Sequence, residues 1–184
     1  RFAKAVTNEM QTLSMKGGRF EVKLVPIPRS EVGVEKSEFL MAGHPGVDVS
    51  PLAKVASGGE LSRIGLAIFT LTSRNTSVPT LIFDEVDSGV GGATGEVVGR
   101  MMKQLGQTRQ VLCVTHLPQV AACGDHHLKV EKVSDGIETV SYLRELNPTQ
   151  RVEEIARMLG GLLITQKTKV LAEEMVKANL SQEE

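Results

Sequence analysis

Leu81-Ile82-Phe83-Asp84-Glu85 is the stretch whose reading decides the fold. Thr80 precedes it, so four small or apolar residues end abruptly in two carboxylates. A continuous apolar run bounded by turn signals suits the interior of a parallel sheet. Carboxylates at the C-terminal end of such a strand stand where open α/β sheets place their ligands. Alone, the pentapeptide has a plainer reading as a core strand that leaves into solvent through two acids. Its neighbours decide between the two.

Upstream, residues 57–73 read as a helix. Ser57 is followed three residues later by Glu60, the arrangement of a capping box, and Leu61, Ile64, Ile68 and Leu71 mark a buried face. Residues 76–79 make the turn into the strand. Downstream, Gly89, Gly91 and Gly92 lead into a helix over residues 93–105, with Val97, Met101 and Leu105 on one face. Residues 110–115 form a second apolar strand with His116 at its exit, and a short helix covers 117–122. This strand–helix–strand alternation argues for a parallel α/β core.

The flanks add antiparallel structure. Residues 2–15 read as a helix through Phe2, Val6, Met10 and Leu13, stopped by Gly17 and Gly18. Residues 20–25 alternate as a strand ended by Pro26 and Pro28. Residues 31–37 make a polar connection, 38–42 a partner strand and 43–51 a loop. Residues 128–133 and 137–143 alternate about Asp135-Gly136, a hairpin signal. Val152, Ile155, Ala156 and Leu159 mark a helix closed by Gly160-Gly161. Residues 167–180 are a last helix, with a frayed tail over 181–184.

The chain has 184 residues, enough for one domain with a sizeable core. Lys plus Arg total 21 and Asp plus Glu 22, so no global charge draws it to DNA or to a membrane surface. No apolar run reaches the length of about 18 residues that a transmembrane helix needs. The start at Arg1, with no secretory pattern, reads as internal to something longer. Cys113 and Cys123 lack a disulfide or zinc pattern and read as buried thiols in a reducing, cytoplasmic setting. A metal site from Cys123, Asp125, His126 and His127 fits no defensible zinc spacing.

Three groups carry chemistry. In Ser57-Gly58-Gly59-Glu60-Leu61-Ser62-Arg63, a hydroxyl and two glycines open a helix. Glycines let the backbone approach a ligand, and a helix N-terminus favours an anion such as phosphate. An ordinary capped helix begins the same way. Asp84 suits an outer ligand of Mg²⁺, which prefers oxygen donors and keeps several waters. Glu85 beside it can orient or activate a water for attack on phosphorus. His116 reaches the same edge if the two strands are neighbours, although a lone His after a strand is often structural.

The order of these groups resembles the C-terminal half of an ABC-type ATPase head. The resemblance implies that the loop Ser57, Gly58, Gly59 and Glu60 touches the γ-phosphate of a nucleotide held by the opposite protomer. It implies that Asp84 supports Mg²⁺, Glu85 polarises the attacking water, Asp87 lies at the dimer seam, and His116 senses the γ-phosphate. The wording of residues 52–63, 83–89, 114–121 and 156–161 is similar to that of the RecN family, bacterial SMC-like DNA repair ATPases. The likeness covers nearly the whole chain and implies ATP and Mg²⁺ as cofactors of the intact protein. The implied architecture is the C-terminal lobe of an ABC/SMC-type P-loop ATPase head, an α/β fold with parallel core strands flanked by helices and antiparallel β additions. Residues 1–15 would be the end of a coiled-coil arm and 16–184 the lobe.

The phosphate loop Gly-x-x-x-x-Gly-Lys-Ser/Thr occurs nowhere; Lys16-Gly17 runs in the wrong order. In SMC-like proteins that loop lies in an N-terminal lobe, so this chain alone is expected to be inactive. The expected partners are its own N-terminal lobe, a second head as a homodimer, and DNA through the intact protein, in the nucleoid and with no membrane. Two rivals stand beside this reading. One is a transporter-type nucleotide-binding subunit, which a long coiled coil upstream of Arg1 would exclude. The other is a non-catalytic interaction module, which intact Asp84, Glu85 and His116 argue against.

Overall fold

The computed structural model describes residues 1–54, 57–72, 78–134, 136, 138–161 and 163–180. They fall into two compact units, Arg1–Thr115 and His116–Glu184, each with its own packing.

The first unit opens with α1, Phe2–Thr12. Its stripe buries Val6 and Met10 completely. The helix ends earlier than its glycines predict. Ser14 adopts a φ of 62°, and the Met10 carbonyl accepts from the amides of Leu13 and Met15, each at 3.1 Å. The chain thereby leaves the helix axis and drops Leu13 and Met15 into the core.

Strands β1 (Arg19–Ser30) and β2 (Gly33–Ala42) then pair antiparallel, with Phe20 opposite Met41. Both are longer than the alternation implies. β1 runs through Pro26 and Pro28, where a stop is expected, and β2 begins inside the expected polar connection. β1 is an outer strand of the order β1-β2-β3, where a proline's missing N–H removes no ladder bond on its open side. The register also shifts between Pro26 and Ser30, which relieves the pairing there. Within the expected loop, β3 (Ser50–Pro51) joins β2, and a 3₁₀ turn follows over Leu52–Lys54. Phe2, Phe20 and Phe39 cluster over the hairpin, Phe20 and Phe39 with ring centroids 5.4 Å apart.

Helix α2 (Gly58–Thr72) packs against α1 and α3 (Gly92–Gly106). Its buried face is Gly59, Arg63, Ile64, Leu66 and Ala67, rotated from the predicted stripe; Leu61 and Leu71 are exposed. The rotation turns Arg63 inward, toward main-chain carbonyls that accept from it. β4 (Thr80–Phe83) pairs parallel with β5 (Gln110–Cys113), Thr80 opposite Gln110 and Phe83 opposite Cys113, as the apolar runs predict. Yet β4 is covered on one face only. Leu81 and Phe83 are buried, whereas Ile82 is 70% exposed, with Leu112 and Val114 also exposed. The turn predicted for residues 76–79 lies partly outside the described residues.

In the second unit, α4 (Pro118–Ala121) leads to the antiparallel pair β6 (Leu128–Ser134) and β7 (Thr139–Glu145), then α5 (Pro148–Gly160) and α6 (Gln166–Leu180). Gly136 takes a φ of 89° at the hairpin turn; Asp135 and Ile137 lie outside the described residues, as does the tail 181–184. Ala122, Ile155, Ala156, Ala172 and Val176 form the core, with Val152 and Leu159 packed on it. The start of α5 carries a capping box that the sequence reading passes over. Asn147 accepts from the amide of Gln150, whose side chain accepts from the amide of Asn147. Arg151 donates to the carbonyls of Ala121, Ala122 and Gly124, closing the end of α4. Glu154 joins Lys129 of β6 to Arg157. Burial pushes Glu154 up, but its hydrogen bonds from Arg157 and Lys129 outweigh this and leave it below the usual carboxylate range.

Candidate functional site

The candidate site lies in the first unit, where the start of α2 packs against the turn after β4. Ser57 acts as the predicted cap: its hydroxyl accepts from the Glu60 amide at 3.4 Å. Glu60 stands in the first turn of α2, where its charge favours the helix dipole, 3.9 Å from His44. Gly58 is exposed and Gly59 buried.

Beyond Phe83 the chain leaves the sheet. Asp84 and Glu85 are exposed at the C-terminal end of β4, where the sequence places them. Glu85 adopts a φ of 57°, the left-handed region that a residue with a long side chain seldom enters. Such strain costs on the order of 1–3 kcal/mol and is characteristic of functional positions. The turn closes through the Ser88 amide, which donates to the Glu85 carbonyl at 2.9 Å.

The glycines of the loop face this turn. A Cβ on Gly59 would lie 2.9 Å from Ser88 Cβ and 3.1 Å from the Glu85 carbonyl oxygen. A Cβ on Gly58 would lie 2.6 Å from Glu85 Oε2. Gly58, Gly59 and Glu85, separate in sequence, are therefore in contact. Asp87 behaves differently from its two acidic neighbours. It is 2% exposed, and its Oδ2 accepts from the Thr115 hydroxyl at 2.5 Å. The acid that the resemblance assigns to a dimer seam is thus directed into its own unit, linking the turn to the end of β5.

The carboxylates dominate the electrostatics of this edge. Cys113 ends β5 opposite Phe83. Burial, then the charges of Asp87 and Asp84, push its thiol up to about 12. A protonated thiol is neither nucleophile nor metal ligand, so Cys113 contributes no chemistry to this edge. Among the described residues no three His, Cys, Asp or Glu side chains form a metal cluster. Mg²⁺ needs no such cage, because one or two carboxylates with waters and phosphate oxygens satisfy it. Asp84 at the strand tip fits that donor set. His116 opens the second unit and is exposed ahead of α4.

Three residues of this region had no role in the sequence reading. Ser62 Oγ donates to the Asp84 carbonyl at 2.8 Å. Arg63 Nη1 donates to the Ser88 carbonyl at 2.6 Å and, at 3.5 Å, to that of Val86. Thr115 bonds Asp87. A signal for Arg63 was available: Gly59, Arg63, Leu66 and Ala67 share one helical face, so a cation sat on a buried stripe.

The fold and the site together define a class. The chain has the fold of the C-terminal lobe of an SMC-type ATPase head. The Smc head domain with coiled coil and joint from Pyrococcus yayanosii superposes with a TM-score of 0.60 at 23% identity, over 84% of this chain and 28% of that one. A chain solved in work on ATP-driven dimerization and DNA-stimulated activation of SMC ATPases gives 0.53 at 20% identity, over 88% of this chain and 93% of that one. No family model matches the sequence. The DNA repair protein RecN of Vibrio cholerae is 45% identical over 177 residues, covering 95% of this chain, and RecN of Xylella fastidiosa is 46% identical over 175 residues, covering 93%. Over 93–95% of its length the chain is therefore similar to RecN proteins. It spans about a third of the length of these relatives, 32% and 31%.

Proposed function

We propose that this chain is the C-terminal lobe of a RecN-type ATPase head, and that the intact protein couples ATP binding and hydrolysis by paired heads to DNA double-strand break repair and recombination. The observation that carries the reading is the packing of the loop Ser57, Gly58, Gly59 and Glu60 on the turn that bears Glu85, at the C-terminal end of two parallel strands. Each composite site would use one head's phosphate loop, Asp84, Glu85 and His116 with the other head's Ser57 loop. In that arrangement Glu85 orients and deprotonates water, Asp84 holds Mg²⁺, and His116 senses the terminal phosphate. Bound Mg²⁺ would neutralise charge on the phosphates.

The bare face of β4 and β5 supports the need for a second lobe. Parallel sheets are ordinarily covered on both faces, whereas Ile82, Leu112 and Val114 stand exposed together. The protein's own N-terminal lobe is the proposed cover, with α1 as the end of a coiled-coil arm. No helix among the described residues is long and apolar enough to cross a membrane. The likeness to RecN proteins is what supports proposing a cytoplasmic, nucleoid-associated protein.

The test is ATP turnover by this chain alone and after mixing with a separately expressed N-terminal lobe carrying a phosphate loop. Silence alone, activity on mixing and its loss with Glu85→Gln are expected. Turnover by the chain alone would refute the composite site. Silence from two folded, associated lobes would favour an interaction module.

A further inference from the structure

The two side chains after the glycine loop fasten α2 to the turn that carries Glu85. Ser62 holds the Asp84 carbonyl immediately before Glu85, and Arg63 holds the carbonyls of Ser88 and Val86 beyond it. Arg63 is 5% exposed, and burial pushes its guanidinium below the ordinary value, with Glu60 opposing. Burying this charge is unfavourable unless fixed acceptors receive it. Its acceptors are main-chain carbonyls, so the turn cannot shift relative to α2 without leaving a buried charge less well satisfied. The Gly59 contact removes the remaining slack of the backbone: Gly59 lies against Ser88 and the Glu85 carbonyl. Loop, turn and Glu85 are one packed body.

We propose that Ser62 and Arg63 are positioning residues that make the phosphate-sensing loop and Glu85 of one head move together, and so couple the two nucleotide sites of a head pair. The inference rests on the composite-site reading, in which one head's loop serves one site and its Glu85 serves the other. A displacement of α2, produced when its loop meets a phosphate across the pair, passes through the carbonyls of residues 84, 86 and 88 to Glu85. The acceptors are backbone atoms, so what is passed on is the course of the chain rather than one rotamer. The left-handed backbone at Glu85 makes its direction sensitive to that course.

The experiment uses the full-length protein and reads kcat per bound ATP, KM for ATP, and turnover in mixtures with the Glu85→Gln protein. Arg63→Ala is expected to lower kcat about tenfold and Ser62→Ala about threefold, with KM nearly unchanged. Arg63→Lys should recover part of the loss, since lysine offers donors but no planar fork. In equimolar mixtures, wild-type turnover should fall by more than the share of dead sites, and Arg63→Ala should abolish that excess. If Arg63→Ala fails to fold, Ser62→Ala and Arg63→Lys decide. Wild-type rates in both, or a merely proportional loss in wild-type mixtures, would overturn the coupling. Persistent turnover in Glu85→Gln itself would overturn the composite-site reading instead.

Discussion

Three glycines of α2 make a graded test of the packing between loop and turn. Each is replaced by alanine, and the structure distinguishes what each new Cβ meets. At Gly65 nothing lies within 4 Å, so the change acts only through helix propensity. Alanine is favoured there by about 0.8–1.0 kcal/mol, and Gly65→Ala should stabilise by up to that amount. At Gly59 the Cβ would meet Ser88 Cβ at 2.9 Å, the Ser88 carbonyl at 3.0 Å and the Glu85 carbonyl at 3.1 Å. Two of those atoms are backbone in a turn held by Arg63, so α2 must move. Overpacking of this kind costs about 1–3 kcal/mol. Set against a propensity gain of at most about 1 kcal/mol, Gly59→Ala should destabilise by about 1–2 kcal/mol. At Gly58 the obstacle is Glu85 Oε2, the end of a flexible side chain, at 2.6 Å. The carboxylate can swing away, so Gly58→Ala should leave stability within about 0.5 kcal/mol while turnover of the intact protein collapses. Urea unfolding of this chain reads the first quantity. With a slope of about 1–3 kcal/mol per molar urea, the Gly59→Ala midpoint should fall by about 0.3–2 M, and that of Gly65→Ala should rise. If Gly59→Ala unfolded at or above the wild-type midpoint, the contact between loop and turn would be wrong. So would the coupling built on it.

Other outcomes follow from single side chains. Thr115→Val removes the hydroxyl that bonds buried Asp87 and should cost about 1.5–3 kcal/mol in the same assay, a hydrogen bond to a charged acceptor being worth that much. A loss below 0.5 kcal/mol would mean that the bond contributes little. Burial, then the charge of Arg151, hold His127 below its ordinary value, with Lys129 adding and Glu154 opposing. A group with a lowered folded pKa gives stability that is whole above its unfolded value, near 6.5, and is lost as pH falls below it. The melting temperature should therefore drop between pH 7.5 and 5.5, and His127→Gln should flatten that drop; equal drops in both proteins would refute it. Cys113, pushed up to about 12, should alkylate far more slowly than a free thiol at pH 8.5, and a rate equal to that of a free thiol would contradict its placement.

The sequence made the parallel pair legible because two short apolar runs, separated by a helical stretch, each ended in polar residues, Asp84-Glu85 and Thr115-His116. It also located the cap at Ser57 and the hairpin about Gly136, since both depend on residues adjacent in the chain. The early end of α1 and the capping box at Asn147 are local departures, whereas the others need a partner distant in sequence. Pro26 and Pro28 stop a strand only if their missing N–H groups face a neighbour, and which side of β1 is open is a tertiary fact. Leu61 and Leu71 looked inward because apolar residues usually are, yet a guanidinium took the buried face once carbonyls 23 and 25 residues away received it. Asp87 was recognisable as an acid in a turn, but its direction depends on Thr115, 28 residues on. The apolar character of Ile82 was legible, but one-sided cover of β4 was not, because periodicity over four residues cannot tell a strand covered twice from one covered once.

That half-covered sheet also governs how the isolated chain behaves as a colloid. Its apolar face is 70% open at Ile82 and continues across Leu112 and Val114. Its formal net charge is only −1, with an isoelectric point near 6.5, so mutual repulsion between molecules is weak near neutral pH. Face-to-face association at high concentration is the physical consequence. It should be slowest well above pH 7, where negative charge accumulates, and it should disappear when a cognate lobe occupies the face.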